Sequence, residues 1–289
     1  MENKDTTAPQ SERTLPLSGG AGGGLLLSSA YLAPVHYYTK LYSSALAQAR
    51  SGGSEGIVIE EQAEHYVKQT YRNRCIIAGD DGPIALTIPV TAPAALPAPS
   101  PSTTPGEAHH PIGISKTPMH SVLISNHGEW RRQHWNAIVS AYRSSPYFEY
   151  YADDFKRVFH QPLVTHGDDG SDADPSTSSG QALQPLRLVD FNAALRDLVL
   201  DALGLHPIIQ VNREHYIDPS TTAPDTDFRE TIRPKIPYST DATFCPMAYW
   251  QVFASRHGFQ PNMSIIDLLF NMGPESRLIL RDSIVTSAL

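Results

Sequence analysis

Residues 25–60, LLLSSAYLAPVHYYTKLYSSALAQARSGGSEGIVIE, decide the fold. A short apolar run opens this stretch, residues 35–49 have a helical composition, and residues 56–60, GIVIE, form a second apolar run after a glycine-containing turn. The order strand, helix, strand is typical of two neighbouring parallel strands joined by a crossover helix. The sequence therefore predicts that the fold begins with a parallel strand–helix–strand unit.

Two further patterns predict additional strands. Residues 74–78 and 84–90 flank GDDG at residues 79–82, and an Asp-Gly turn between apolar runs is a strong signal for an antiparallel hairpin. Residues 119–125 are a candidate strand that leads into a helix. Parallel and antiparallel pairs together predict an α/β fold with a mixed β-sheet flanked by helices.

Apolar residues at helical spacing predict helices in the second half of the chain. Residues 186–203 form an amphipathic pattern that Gly204 terminates. Residues 264–271 predict a short helix capped by Asn262 or Ser264. We therefore expect the fold to become more helical toward the C-terminus.

Polar and Pro-rich segments divide the chain. Residues 1–24 are polar and then Gly-rich, and they predict a disordered tail. Residues 91–117 are rich in Pro, Ala, Ser and Thr, and residues 162–185 include GDDGSDADPSTSSG, so we expect two long disordered loops. The remainder, residues 25–289, is predicted to form one domain.

Composition excludes several classes of protein. The formal net charge of −8 argues against a nucleic-acid binder that depends on a broad basic surface. No apolar run is long enough for a membrane span, so we expect a soluble protein. Cys75 and Cys245 lack metal-type spacing, and a reducing cytoplasm is the simplest compartment. No Gly-rich phosphate loop supports an ATPase or a nicotinamide enzyme, and the sequence identifies no cofactor.

The segment of residues 129–151, EWRRQHWNAIVSAYRSSPYFEYY, concentrates aromatic, cationic and imidazole groups. At helical spacing these groups share one broad face. Asn126 and Glu129 approximate a capping box, and Pro146 restrains Ser145 from helical geometry, so one helix is predicted between them. Tryptophan and tyrosine carry polar atoms that need partners when buried, which makes this face a candidate binding surface.

An anion-binding clamp is predicted from Arg72, Asn73 and Arg74, joined by Arg131 of the aromatic helix. Guanidinium groups match phosphate and carboxylate oxygens with paired hydrogen bonds. The alternative is an exposed strand edge decorated with charge. If the clamp exists, we expect its guanidinium groups to converge beside His134 in a single cavity.

Two residues are candidates for acid–base chemistry. His134 has an unperturbed pKa close to neutrality and suits a general base or acid. Glu61 follows a predicted buried strand, at the end where ligands bind in open α/β sheets, and is a candidate either to orient His134 or to accept a proton from an amine nucleophile. The alternatives are a structural histidine between tryptophans and a solvated glutamate at a strand end.

Aromatic residues and one carboxylate complete the predicted substrate site. Flat aromatic faces stack on sugars and nucleobases, and an acidic residue on a late helix can face the same partner as Asn271 one turn away. The alternative for the aromatic residues is core packing, and for the carboxylate a buried bracing pair. The candidates are Tyr31, Trp130, Trp135, Tyr142 and Asp267.

The order of several segments resembles the WbqC-like protein family of bacterial surface-polysaccharide gene clusters. The segments are SSAYLAPVHYY, IVIEEQAEHYVKQTYRNRC, LTIPV, KTPMHSVLIS, EWRRQHWNAIVSAYRSSPYFEYY and YWQVFASRHGFQPNMSIIDLLFNMGPES. Many relatives carry a Gln-Pro-x-Tyr-x-Pro-Trp motif after the first strand. Residues 28–31, Ser-Ser-Ala-Tyr, stand in that region here, so the Gln-Pro pair and the tryptophan are missing.

The resemblance implies a cytoplasmic transferase of surface-polysaccharide precursor biosynthesis that acylates or aminoacylates an amino sugar on a nucleotide carrier. The expected partner is a small anionic substrate, a nucleotide sugar, rather than a nucleic acid. Two alternatives remain open. One is a nucleotide-sugar or glycan-binding accessory protein without chemistry, and the other is an interaction module whose aromatic helix packs on a partner protein.

Overall fold

The computed structural model describes residues 24–93, 113–125, 127–160, 164–165, 184–223 and 226–285. Its strands belong to one three-stranded parallel sheet and to two-stranded antiparallel pairs. The strands are β1 (Leu25–Ser28), β2 (Val58–Glu61), β3 (Arg74–Gly79), β4 (Gly82–Thr87), β5 (Val90–Thr91), β6 (Leu123–Ile124), β7 (Val164–Thr165), β8 (Gln184–Pro185) and β9 (Ile209–Asn212).

Helices make up most of the regular structure after β6. They are α1 (Val35–Ser51), α2 (Trp130–Tyr142), α3 (Phe148–His160), α4 (Leu188–Leu203), α5 (Ala254–His257), α6 (Ile265–Met272) and α7 (Ser276–Asp282). Short 3-10 turns lie at Ile114–Lys116, Met119–Ser121, Pro219–Thr221, Tyr238–Thr240 and Gly273–Glu275. The predicted α/β class, more helical toward the C-terminus, is confirmed.

The parallel sheet has the order β1-β2-β9. Helix α1 connects β1 to β2, so the predicted strand–helix–strand unit is confirmed. Strand β9 extends the sheet on the other side of β2, with Glu61 opposite Asn212. All three strands run in the same direction, and their carboxyl ends therefore meet at one edge.

The antiparallel strands do not join this sheet. Strands β3 and β4 form the predicted hairpin, in which Gly79 pairs with Gly82 and Gly82 adopts a φ of 109° that other residues avoid. The expectation of one mixed sheet is thus corrected, because parallel and antiparallel pairs occupy separate sheets. Residues 119–125, predicted as a strand, form a 3-10 turn followed by the two-residue strand β6.

The aromatic segment folds into two helices instead of one. Helix α2 ends at Tyr142, and α3 begins at Phe148 after a turn that contains Pro146. Asn126 lies outside the described residues, and the carboxylate of Glu129 pairs with Arg132 rather than capping the helix. The predicted capping box is therefore wrong.

Residues that the sequence assigned to disordered loops form structure at the loop edges. Thr91 pairs with Leu123, Thr117 is buried, and β7 pairs with β8. The predicted loop boundaries were therefore too wide. Residues 1–23 of the predicted tail 1–24, and residues 94–112, 162–163 and 166–183 of the two loops, lie outside the described residues.

Buried apolar side chains from every large element form one connected core. Helices α2, α3, α4 and α6 contribute Ile138, Phe155, Leu195 and Phe270, each at most 1% exposed. The N-terminus of α1 is capped across the chain, because the backbone N–H of His36 donates to Asn262 Oδ1 at 3.0 Å. In the part of the chain that the structure describes, no helix has the length and hydropathy needed to cross a bilayer.

Candidate functional site

Polar side chains cluster where the three parallel strands end. We call this cluster the charged edge. Ligands of open α/β sheets bind in this position, outside the carboxyl ends of the strands. The charged edge consists of Ser28, Ser29, Glu60, Glu61, Gln62, Glu64, Arg72, Arg196, Asn212, Asp227 and Arg229, most of which are buried.

Two buried arginines of the charged edge are held in the same way. Arg72 donates from Nε and Nη2 to the two oxygens of Glu64 at 2.8 and 2.6 Å. Arg229 donates from Nε and Nη2 to the two oxygens of Asp227 at 2.9 and 2.6 Å. Such paired hydrogen bonds fix the guanidinium plane. In each arginine, Nη1 takes no part in the pair.

Hydrogen bonding also sets the ionisation of Asp227. Burial alone raises the pKa of this carboxyl group, but the hydrogen bonds and the charge of Arg229 outweigh burial and bring the pKa below its ordinary value. Asp227 is therefore ionised at neutral pH. Each guanidinium of the charged edge thus has a carboxylate counterion beside it, as Arg196 has in Glu60.

Both arginines line one small cavity of about 10 Å³. A space of this size holds about one water molecule, and hence one oxygen atom of a larger ligand. Its walls come from the end of β1 and from two later segments of the chain. The lining residues are Leu27, Ser28, Ser29, Ala30, Tyr37, Tyr71, Arg72, Phe228, Arg229 and Ile232.

The polar groups of the cavity are mainly donors. Nη1 of Arg229 is buried without a hydrogen-bond acceptor among the described residues, and Glu61 Oε2 lies 3.7 Å from it. Ser28 Oγ accepts from Arg72 Nη2 at 2.8 Å, and Ser29 Oγ accepts from Asn192 Nδ2 at 3.2 Å. Each serine hydroxyl thus has its own hydrogen to donate. The cavity is chemically suited to a negatively charged oxygen.

Glu61, one of the two predicted catalytic residues, lies at this edge beside Arg229. Its carboxylate accepts from the backbone N–H of Ala63 at 2.8 Å, from Asn212 Nδ2 at 3.0 Å and from the backbone N–H of Ile217 at 3.0 Å. These contacts tie together the ends of β2 and β9 and the segment after β9. Glu61 is fully buried, and its catalytic role stays a prediction.

The residues of the predicted arginine clamp have separate hydrogen-bond partners in the structure, and the clamp stays a prediction. Arg72 and Asn73 are buried in the turn before β3, where Asn73 Nδ2 donates to the carbonyl oxygen of Ile88 at 2.8 Å. Arg74 is partly exposed on β3 and donates to Thr87 Oγ1 at 3.0 Å. Arg131 donates to the carbonyl oxygen of Phe159 at 3.1 Å, so it connects α2 with α3. Of these four residues, only Arg72 lines the cavity.

His134 lies in the aromatic core and does not line this cavity. Its Nδ1 is 3.0 Å from Tyr31 Oη, and its ring centroid is 5.1 Å from that of Trp130. Burial lowers the pKa of His134 to about 4, so the imidazole is neutral at pH 7. These surroundings favour a structural role, the alternative that the sequence left open, and the catalytic role remains a prediction.

The predicted aromatic ligand residues are also packed in the core. Tyr31, Trp130, Trp135 and Tyr142 are all at most 9% exposed. Trp135 stacks on Phe148 with centroids 6.3 Å apart, whereas the hydroxyl of Tyr142 accepts the backbone N–H of Ala78 at 3.1 Å. These contacts are those expected of packing residues, and none of the four residues lines the cavity at the charged edge.

Asp267 braces the C-terminal part of the chain. It is fully buried, and its Oδ2 accepts from Tyr249 Oη at 2.6 Å and from Gln251 Nε2 at 2.7 Å, while Asn271 lies on the same helix face. Burial raises the pKa of Asp267 to about 6, although the hydrogen bonds from Tyr249 and Gln251 act in the opposite direction. The surroundings match the bracing alternative.

Sequence reasoning missed Asp227 and Arg229 because residues 205–236 show no helical or strand periodicity. The available signal was the spacing of the two charges. An acidic and a basic residue two positions apart can form a bidentate pair when the backbone between them turns, and Arg229 N–H indeed donates to Asp227 Oδ1 at 3.1 Å.

The fold and the charged edge together define a mixed α/β protein with a donor-lined cavity at the ends of parallel strands. The model of the WbqC-like protein family matches residues 109–165, which contain α2 and α3 and none of the charged edge. The resemblance predicted from the sequence is therefore confirmed over this stretch. Neither a curated protein nor a solved structure matched the chain.

Proposed function

We propose that this chain is a transferase of surface-polysaccharide precursor biosynthesis and that it binds an anionic group of its substrate at the charged edge. The substrate we propose is an amino sugar linked to a nucleotide, and the reaction is acyl or aminoacyl transfer. The family match supports the biological setting. The observation that carries the binding site is the buried Nη1 of Arg229, a lining residue of the cavity, which has no hydrogen-bond acceptor among the described residues.

A phosphate oxygen would satisfy this geometry. Leaving a buried donor unsatisfied costs about 1–3 kcal/mol, more for a charged group, and an oxygen that enters the cavity recovers much of that cost. The volume of about 10 Å³ admits one oxygen atom, and the rest of the ligand then lies at the mouth of the cavity.

The anion would be held by hydrogen bonds more than by net charge. Glu64 and Asp227 already neutralise Arg72 and Arg229, and Glu61 also lies 3.7 Å from Arg229 Nη1, so the cavity has no excess positive charge. Attraction between separated net charges is what salt screens most strongly. We therefore expect affinity that changes little between low and physiological salt.

For the transfer step we assign proton acceptance to Glu61. The amine nitrogen of the sugar forms a bond to the acyl carbonyl carbon, the bond from that carbon to the donor's leaving group breaks, and the amine proton passes to the carboxylate. Glu61 Oε2 lies 3.7 Å from Nη1 of Arg229, within ion-pair distance but too far for a hydrogen bond. To act as a base it must release one of its three donors.

A non-catalytic nucleotide-sugar-binding protein is the second candidate. The observation in its favour is the same set of three hydrogen bonds, because they leave Glu61 with little capacity to take a proton in this conformation. The third alternative, an interaction module, requires an exposed aromatic helix. Trp130 and Trp135 are at most 9% exposed, which argues against it.

Thermal-shift measurements with nucleotide sugars test the binding site. A ligand that binds only the folded protein raises its melting temperature. We expect such a rise for the wild type and for the control variant Arg74→Gln, and little or none for Arg229→Gln. An equal rise in all three proteins would overturn the assignment of the site.

Product analysis separates the two candidate functions. With acyl donors present, a transferase forms an acylated amino sugar detectable by mass spectrometry, and Glu61→Gln should bind the sugar while forming much less product. A binding protein gives the same melting-temperature rise but no product with any donor.

A further inference from the structure

Tyr216 is an exposed aromatic residue held at the charged edge. Its side chain is 52% exposed, and the guanidinium carbon of Arg229 lies 5.1 Å from its ring centroid. One side of the ring is thus next to Arg229, which lines the donor-lined cavity and whose Nη1 is buried without a hydrogen-bond acceptor among the described residues. Tyr216 itself does not line the cavity. It lies beside it.

The backbone around Tyr216 is fixed although the ring is exposed. The next residue, Ile217, donates its N–H to the buried carboxylate of Glu61 at 3.0 Å. On the other side, the carbonyl oxygen of His215 accepts from Asn212 Nδ2 at 2.7 Å. Both anchors belong to the charged edge. A ligand that contacts the ring therefore meets a surface that is already in place.

The charges near Tyr216 come from the same cluster. Partial burial raises the pKa of Tyr216, and the carboxylates of Glu64 and Asp227 act in the same direction, against Arg229. Those two carboxylates belong to the ion pairs that flank the cavity, so the ring lies in the electrostatic environment of the charged edge.

We propose that Tyr216 is the stacking platform for the nucleobase of a nucleoside diphosphate ligand, whose phosphate oxygen enters the cavity beside Arg229. This inference rests on the proposed function and adds the part of the ligand that the cavity is too small to contain. All nucleobases can stack on aromatic side chains, because every base has a π-face. The ring of Tyr216 would lie between the base and the Arg229 guanidinium.

If Tyr216 only shielded Arg229 from solvent, its substitutions would have different effects. Shielding needs apolar area, which leucine supplies, whereas stacking on a base needs an aromatic face. Tyr216→Phe and Tyr216→Trp should therefore retain nucleotide affinity, and Tyr216→Leu should lose it. Because the side chain is exposed, none of these changes should affect folding, and an unchanged melting temperature checks this.

Calorimetric titration provides the test, with ADP, GDP, CDP, UDP and dTDP as probes and inorganic pyrophosphate as the probe without a base. For the nucleoside diphosphate that the wild type prefers, we expect Tyr216→Ala to weaken binding about 5- to 100-fold. Pyrophosphate affinity should stay unchanged. Tyr150→Ala, which removes a tyrosine 78% exposed on α3, is the matched control and should bind like the wild type.

The outcomes are distinguishable. If Arg229→Gln abolishes nucleotide binding and Tyr216→Ala or Tyr216→Leu does not weaken it, the platform is wrong and the anion site stands. Equal weakening of pyrophosphate and nucleotide by Tyr216→Ala also overturns the platform, since the residue would then act on the cavity. If the wild type binds neither probe class, both the platform and the proposed function are wrong.

Discussion

The aromatic region, formed by α2, α3 and Tyr31, contrasts with the charged edge. Apart from Tyr31, the aromatic region is continuous in sequence and concentrates groups able to do chemistry, yet its aromatic rings pack against one another in the core. The charged edge is assembled from separate short segments, none of which is conspicuous alone. The contrast shows that a candidate site is recognised by polar atoms left without a partner at a cavity, and not by a local density of reactive residue types.

Buried carboxylates sharpen the same contrast. At the charged edge, Glu64 and Asp227 each face a guanidinium group. Asp267, which contacts the aromatic region through α6, accepts from the neutral side chains of Tyr249 and Gln251. The pKa of Asp227 is lowered because the hydrogen bonds and charge of Arg229 outweigh partial burial, whereas the pKa of Asp267 is raised because complete burial outweighs the hydrogen bonds from Tyr249 and Gln251.

Breaking one ion pair at the charged edge should have the largest effect. Arg72→Met leaves the buried carboxylate of Glu64 without its cation, and we expect the free energy of unfolding to fall by about 3–5 kcal/mol. Urea denaturation measures it. The double variant Arg72→Met/Glu64→Leu should regain most of the loss, because no buried charge then remains. A double variant as unstable as the single one would contradict this account.

Removing the charge of Asp267 tests the aromatic region. The pKa of Asp267 in the folded protein, about 6, exceeds that of the unfolded chain, so its contribution is present below about pH 4 and is lost as pH rises to about 6. The free energy of unfolding of the wild type, minus that of Asp267→Asn, should therefore fall by about 2–3 kcal/mol over this range. Urea denaturation at several pH values measures the difference, in which other titrating groups cancel. A pH-independent difference would rule the interpretation out.

His134→Ala separates packing from chemistry. Tyr31 loses its buried partner, so we expect the free energy of unfolding at pH 7 to fall by about 1–3 kcal/mol, whereas nucleotide-sugar affinity should not change. The low folded pKa also makes the wild type lose stability as pH falls from about 6.5 to about 4, a contribution that the variant lacks. Unchanged stability with lost transfer would instead restore the catalytic role of His134.

Arg74→Ala should have the smallest effect. Its side chain is partly exposed and, among the described residues, its hydrogen bond is to Thr87, so we expect a change in the free energy of unfolding within about 0.5 kcal/mol. Ligand affinity should also remain. Arg72→Met and Arg74→Ala, two changes within one tripeptide, are thus expected to give the largest and the smallest loss in the free energy of unfolding. A large effect of Arg74→Ala on affinity would support the predicted clamp.

Local patterns predicted the local elements. The Asp-Gly turn of the β3–β4 hairpin and the terminating Gly204 of α4, with φ of 60°, depend on backbone preferences of a few residues and were read correctly. Helix α3 was missed because Pro146 suggested an end and not a turn between two helices. Strand β9 was missed because it is short and partly exposed, so it lacks both alternation and a buried apolar run.

The candidate site was less predictable for a physical reason. The location of Glu61 at the end of a parallel strand followed from the strand–helix–strand pattern, and Arg72 was singled out by its charge. Arg72 was predicted to share an anion clamp with Arg74 and Arg131. Its ion pair with Glu64 depends instead on the turn before β3. Arg229 reaches the cavity only through tertiary contacts of residues 226–228 with β1, which no periodicity encodes.

The order β1-β2-β9 also has a consequence for synthesis of the protein on the ribosome. Glu61 and its partner Asn212 are separated by 151 positions, so one side of β2 lacks its neighbouring strand β9 while these intervening residues are translated. Pairings over such separations form slowly and leave strand edges open to wrong contacts. A nascent chain released before β9 emerges would therefore present an unprotected edge to other chains, and binding by chaperones is expected to be strongest at that stage.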